Sequence, residues 1–156
     1  MQRLLRKFLR AGIFMGLLWG AVGGIAGGQE KEMLELQSFQ WKNRILLVFA
    51  PSAEDPVCRS LAAELNAQSA GGRERDLLIG EFFEAGASRF AGASLTPRSA
   101  EALRKGFAVG KGTQTVILIG KDGEVKLRRE GLVQAAQIFA LIDSMPMRQQ
   151  EMREGK

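Results

Sequence analysis

The period of the apolar positions changes along the chain, and each change marks a predicted element. Residues 45–50, Ile-Leu-Leu-Val-Phe-Ala, form an unbroken β-branched and apolar run, the pattern of a central strand covered on both faces. Pro51 closes it. Val57, Leu61 and Leu65 then recur at helical spacing, with Asp55 as a natural N-cap and Pro56 at the first position, which predicts a helix over 56–67. The Gly- and Ser-containing stretch 67–73 reads as a turn, and 75–83 as a second buried strand. Residues 84–94 show no period and read as a loop or short irregular insert.

A second helix is predicted to start at Thr96 as cap and Pro97 as first residue. Its Ala100, Leu103 and Phe107 face inward, and Gly106 and Gly110 bring it to a close. Residues 114–120 and 124–129 form two more strands around Gly-Lys-Asp-Gly, because an Asp-Gly pair accepts the positive φ of a hairpin turn. The last helix is expected from about Leu132, with Leu132, Ala135, Ile138, Phe139, Ile142 and Met145 on one face. Pro146 interrupts it, leaving 147–156 as a charged tail expected to fray. Residues 33–39 are read as an added edge strand.

The order β-α-β-α-β-β-α implies an α/β domain: a mixed four- to five-stranded sheet with helices on both faces, in a thioredoxin-like arrangement over 29–146. Before it, residues 1–10 carry Arg3, Arg6, Lys7 and Arg10 without an acid, and 11–28 are uncharged and apolar. That is the layout of a signal peptide over 1–28, with small residues at cut points after Ala26 or Gly28. The expectation is a secreted or periplasmic protein. An uncleaved membrane anchor is the competing reading, but the apolar stretch falls short of the roughly 20 residues a spanning helix needs and holds seven glycines.

Charge follows from the same segment. The chain has 22 basic and 17 acidic groups, and losing four basic groups with residues 1–28 leaves 18 against 17. A near-neutral domain lacks the cationic face that nucleic acid requires. Chemistry is limited as well. Histidine is absent, which removes the commonest general base and the commonest metal ligand, and the single cysteine, Cys58, excludes an internal disulfide. The methionines at 145, 147 and 152 read as packing and tail residues, and Trp41 as a core or rim aromatic. Neither a cofactor nor a metal is expected.

Residues 44–56 (Arg-Ile-Leu-Leu-Val-Phe-Ala-Pro-Ser-Ala-Glu-Asp-Pro) resemble the strand leading into the active-site loop of thioredoxin-superfamily proteins, and 99–131 resemble that fold's helix, loop, hairpin and final glycine. More specifically, 39–56, 115–128 and 141–154 are similar to segments of the family designated domain of unknown function 4174, found in exported bacterial proteins. That resemblance spans about 34–154 and implies the fold without an established activity. Departures from the superfamily pattern are informative. No Cys-x-x-Cys pair is present, which excludes dithiol exchange within one chain. Gln114 and Thr115 stand where a cis-proline normally begins the facing strand.

Peroxiredoxins are similar in fold and use Pro-x-x-x-Thr-x-x-Cys, and Pro51 to Cys58 keeps that spacing with Asp55 in place of threonine. An ionised Asp55 opposes a thiolate at Cys58, whereas Arg59 and the helix N-terminus favour one. Two readings follow. In the first, the chain is a non-catalytic binding or accessory module of the cell envelope, a monomer or weak dimer that recognises a protein or small molecule and touches membrane only through an uncleaved signal segment. In the second, it is a one-cysteine thiol peroxidase or oxidoreductase with Cys58 as nucleophile, Arg59 supporting its thiolate and Asp55 beside it.

Overall fold

The computed structural model describes residues 35–155, so residues 1–28, where a signal peptide is expected, lie outside the described residues. Six strands form one sheet in the order β4-β3-β2-β1-β5-β6: β1 Arg44–Ser52, β2 Leu77–Ala85, β3 Arg89–Phe90, β4 Ala93–Ser94, β5 Thr115–Ile119 and β6 Val125–Glu130. The central pair β1 and β2 is parallel, and every other pairing is antiparallel. Two residues of the 84–94 segment at a time are enough to add β3 and β4, which is why the sheet is wider than the four or five strands expected.

Strand alternation divides the core in two. Leu46, Val48, Ala50, Val116 and Leu118 point to one face, packed with Leu61 and Leu65 of α1 (Pro56–Ala67) and with Ile138 and Ile142 of α4 (Ala135–Asp143). Ile45, Leu47, Phe49, Ile117 and Ile119 point to the other, where α3 (Pro97–Gly106) supplies Ala100 and Leu103. A strand buried on both sides cannot alternate with polar residues, which explains the unbroken run at 45–50. The β5–β6 turn is as expected, with Gly123 at φ 83° and Gly120 N donating to Glu124 O at 2.9 Å.

Gly80 is fixed by close approach. A Cβ built there would lie 2.7 Å from the Phe82 ring and 2.8 Å from that of Phe90. Gly80→Ala is therefore expected to cost about 1–3 kcal/mol by overpacking, read as a lower denaturant midpoint with an unchanged slope.

Four elements differ from the sequence expectation. The described part of 33–39 is a 3-10 helix, Leu36–Phe39, not an edge strand. The expected turn at 67–73 contains α2, Ser69–Glu74, whose Gly71 lies against the Phe139 ring, 3.2 Å from where a Cβ would sit. The last long helix begins later than Leu132, because the amide of Gln134 bonds the side chain of Gln137 at 3.2 Å and Glu64 caps the Ala135 amide at 2.8 Å. Leu132 is left exposed, as is Trp41. Finally, residues 147–156 do not simply fray. Pro146 serves as the first residue of a new helix, α5 (Pro146–Arg153), rather than as a stop.

That helix is anchored by charge. Arg148 is fully buried, donating to Glu74 O at 3.1 Å and pairing with the Glu74 carboxylate, and Asp143 lies 3.5 Å away. Glu151 takes a two-pronged bond from buried Arg44 at 3.1 and 3.2 Å and a third from Lys121 at 2.7 Å. Burial opposes ionisation of Glu151, but these cations outweigh it and hold the carboxyl below its usual range. No helix among the described residues is long and apolar enough to cross a membrane.

Candidate functional site

Strand β1 delivers the chain into the loop at 53–55, and α1 starts immediately after. Asp55 caps α1 as its position before Pro56 suggests: Oδ1 accepts from the amides of Val57 and Cys58, each at 3.0 Å. These are the first-turn donors that a helix N-terminus would otherwise offer to an anion. Here a carboxylate takes them.

Cys58 sits in that first turn, is 2% exposed and belongs to the apolar cluster shared by Ala50, Leu61 and Val133. Its thiol pKa is pushed up to about 11, first by burial and then by the charges of Glu81 and Asp55, with Arg89 acting in the opposite direction. Arg59 is exposed and lies 3.8 Å from Glu54, and it is not among the charges that set the thiol. The structure thus brings Asp55 and Cys58 together through the α1 cap and turns Arg59 toward solvent.

Two charged residues at the site escaped the sequence reading. Glu81 and Arg89 face each other across β2 and β3, and the Arg89 Nε donates to Glu81 Oε2. Glu81 is 8% exposed, so its charge needs that partner. The available signal was one acid inside the apolar run of β2 and one cation in the segment after it. Nothing local pairs them until β3 folds back. Together with Cys58 they border a cavity of about 630 Å3 whose walls include Phe83 and Ala62. No cis peptide occurs among the described residues, so β5 begins at Thr115 without the cis-proline of thioredoxins.

A mixed sheet flanked by helices, with a cysteine in the first turn of the helix after the first central strand, defines a thioredoxin- and peroxiredoxin-like domain. The chain belongs to the family described as "Domain of unknown function (DUF4174)", whose model matches residues 35–151. Among solved structures it is similar to the reduced 2-Cys peroxiredoxin of Plasmodium vivax, with 16% identity, a TM-score of 0.60, and 75% of this chain and 85% of that one covered. It is also similar to thioredoxin peroxidase I of Plasmodium yoelii, with 18% identity, a TM-score of 0.55 and coverages of 79% and 82%. The mitochondrial 2-Cys peroxiredoxin of Plasmodium falciparum gives 15% identity, a TM-score of 0.57 and coverages of 79% and 85%. At these identities the likeness establishes the fold and nothing about the reaction.

Proposed function

We propose that the protein is an exported, non-catalytic thioredoxin-like module of the cell envelope that acts by binding. The observation that carries this reading is the treatment of the α1 N-terminus. Its amides are taken by Asp55, and the thiol beside them is buried, with the charges of Glu81 and Asp55 opposing its ionisation. A nucleophilic cysteine needs the reverse, a thiolate held by donors and cations and open to its substrate. With a pKa of about 11, only on the order of one thiol in ten thousand is ionised at pH 7. Export is supported by the basic and then apolar sequence of 1–28.

Alkylation of the full chain by iodoacetamide across a pH series tests the reading, with Cys58→Ser as the blank. The expected profile rises only towards pH 11 and runs below that of free cysteine at neutral pH. An inflection at or below the reference of about 8.5 would support the one-cysteine peroxidase instead. The same shift has a sign for folding. Because the folded thiol holds its proton to higher pH than the unfolded one, stability contributed by the neutral thiol is complete below about pH 9 and is lost as pH climbs toward 11.

A further inference from the structure

The two edges of the sheet differ. At one, β4 is 2 residues long; at the other, β6 runs for 6 residues, and none of the described residues pairs with its outer side. An edge of that length leaves a row of backbone donors and acceptors open to an extended chain, and natural edges are guarded against this by charge. On β6 the cations are Lys126, Arg128 and Arg129. The first is committed to Asp122 and Glu124, and the second donates to the carbonyls of Phe107 and Ala108. Arg129 and Glu130 are exposed, and their side chains make no ion pair among the described residues.

The described chain begins beside this edge. Glu35 is extended, at φ -85° and ψ 91°, and Leu36 lines a cavity of about 310 Å3 together with Val125, the first residue of β6. The chain thus enters the fold at the Val125 end of β6, and a segment laid along the edge from there is antiparallel to it. Leu127 pairs with Leu118 and packs on the core shared by α1 and α4, so Leu127 and Arg129 share that face and Arg128 and Glu130 share the other. Immediately before Glu35 the sequence reads Lys31-Glu32-Met33-Leu34. Setting Leu34 opposite Leu127 puts Glu32 opposite Arg129 on the same face, with Met33 opposite Arg128 and Lys31 opposite Glu130 on the other. A slip of one residue towards Val125 sets Lys31 against Arg129, and a slip of one the other way sets Glu32 against Glu130.

We infer that residues 31–34 of this chain occupy the β6 edge as an antiparallel outer strand, in the register Leu34–Leu127 and Glu32–Arg129. Opposite charges that face each other directly stabilise a strand pair and like charges destabilise it, so charge selects this register together with the leucine contact. A second copy of the chain is a poorer occupant. Two-fold pairing of β6 with itself, centred anywhere from Leu127 to Arg129, sets two cations opposite each other: Arg128 or Arg129 on its own mate, Arg128 on Arg129, or Lys126 on one of them. The role of the segment is to close the sheet against strands of other chains. Cleavage after Ala26 or Gly28 would leave it attached, so the inference is independent of the export reading.

Amide hydrogen exchange of the full chain, read on β6, tests the inference, because the bonds of β6 to β5 persist in every variant and only its outward amides respond. With Glu32→Arg and Leu34→Asp together, exchange in β6 is expected to quicken about tenfold or more, while exchange in β1 is unchanged. Glu32→Arg alone should quicken it about threefold, and adding Arg129→Glu, which swaps the pair, should bring it back to the parent rate. Unchanged exchange in the Glu32→Arg, Leu34→Asp variant would overturn the proposal, as would a swap that exchanges no more slowly than Glu32→Arg alone. Outward amides of β6 that exchange in the parent as fast as an open edge would overturn it in favour of a partner's strand. Protection that grows with protein concentration would overturn it in favour of a second copy. If Arg129→Glu disturbs β6 itself, the variants at 32 and 34, which change no residue of the described fold, decide alone.

Discussion

Arg148→Ala is expected to lower stability by roughly 3–4 kcal/mol, about a fifth or more of the total for an ordinary domain. The side chain is fully buried, and its guanidinium joins α5 to the end of α2 through Glu74 and to the end of α4 through Asp143. Alanine removes the charge and leaves a void the size of an arginine side chain. The exposed Glu74 recovers water, so most of the loss is the void and the Glu74 carbonyl left without its donor. Thermal melting should show a drop of about 10–20 °C. Arg148→Lys, which fills part of the space but cannot fork, should fall between. Since α5 also holds Glu151 against Arg44 and Lys121, acidification should add to the defect as pH falls through the depressed range of Glu151.

Arg104→Met should cost about 2–4 kcal/mol and expose the thiol at the same time. Arg104 is on the buried face of α3 and donates from Nη2 to Ala50 O at 3.0 Å and Phe82 O at 3.2 Å, and from Nη1 to Gly110 O at 3.2 Å. It also pairs with Glu84 at 3.2 Å and stacks 5.6 Å over the Phe49 ring. One side chain therefore ties the ends of both parallel strands, just ahead of the loop that carries Asp55. Methionine keeps the stem's packing and removes the donors, leaving two buried carbonyls without this partner. Alkylation of Cys58 at neutral pH should then rise together with local opening of that loop. Unchanged protection of the thiol in a destabilised variant would show that the loop is held by something else.

The differences between sequence and fold have a common physical origin. Residues 45–50, the Pro56 and Pro97 helix starts and the Asp-Gly hairpin were legible because each is specified by neighbours within a few positions. Elements whose stability comes from distant partners were not. A helix holding Gly71 and Gly72 has poor local propensity, and it exists where Phe139 packs close against that glycine backbone. Residues 147–153 look like a solvated tail until Arg148 is seen to be buried. The two-residue strands β3 and β4 are too short to leave a period.

The candidate site divides along the same line. Asp55 and Cys58 were visible from their spacing, because a cap and a first-turn residue are local. Glu81 and Arg89 were not, because only cross-strand pairing makes an acid inside the apolar run of β2 and a cation of the segment after it into neighbours. Their effect is large, since the Glu81 charge ranks directly after burial among the causes that raise the thiol. The question that the Pro51-to-Cys58 spacing raised, whether the thiol is usable, thus turns on a residue more than twenty positions further along the chain.

Stopped-flow mixing of the full chain with hydrogen peroxide, with Cys58→Ser as control, addresses the central claim most directly. In that reaction the thiolate sulfur takes one peroxide oxygen to become sulfenate, and the other leaves as water. Sulfenate is expected to form on Cys58 no faster than on free cysteine under the same conditions. Formation orders of magnitude faster, lost in Cys58→Ser, would contradict the non-catalytic reading.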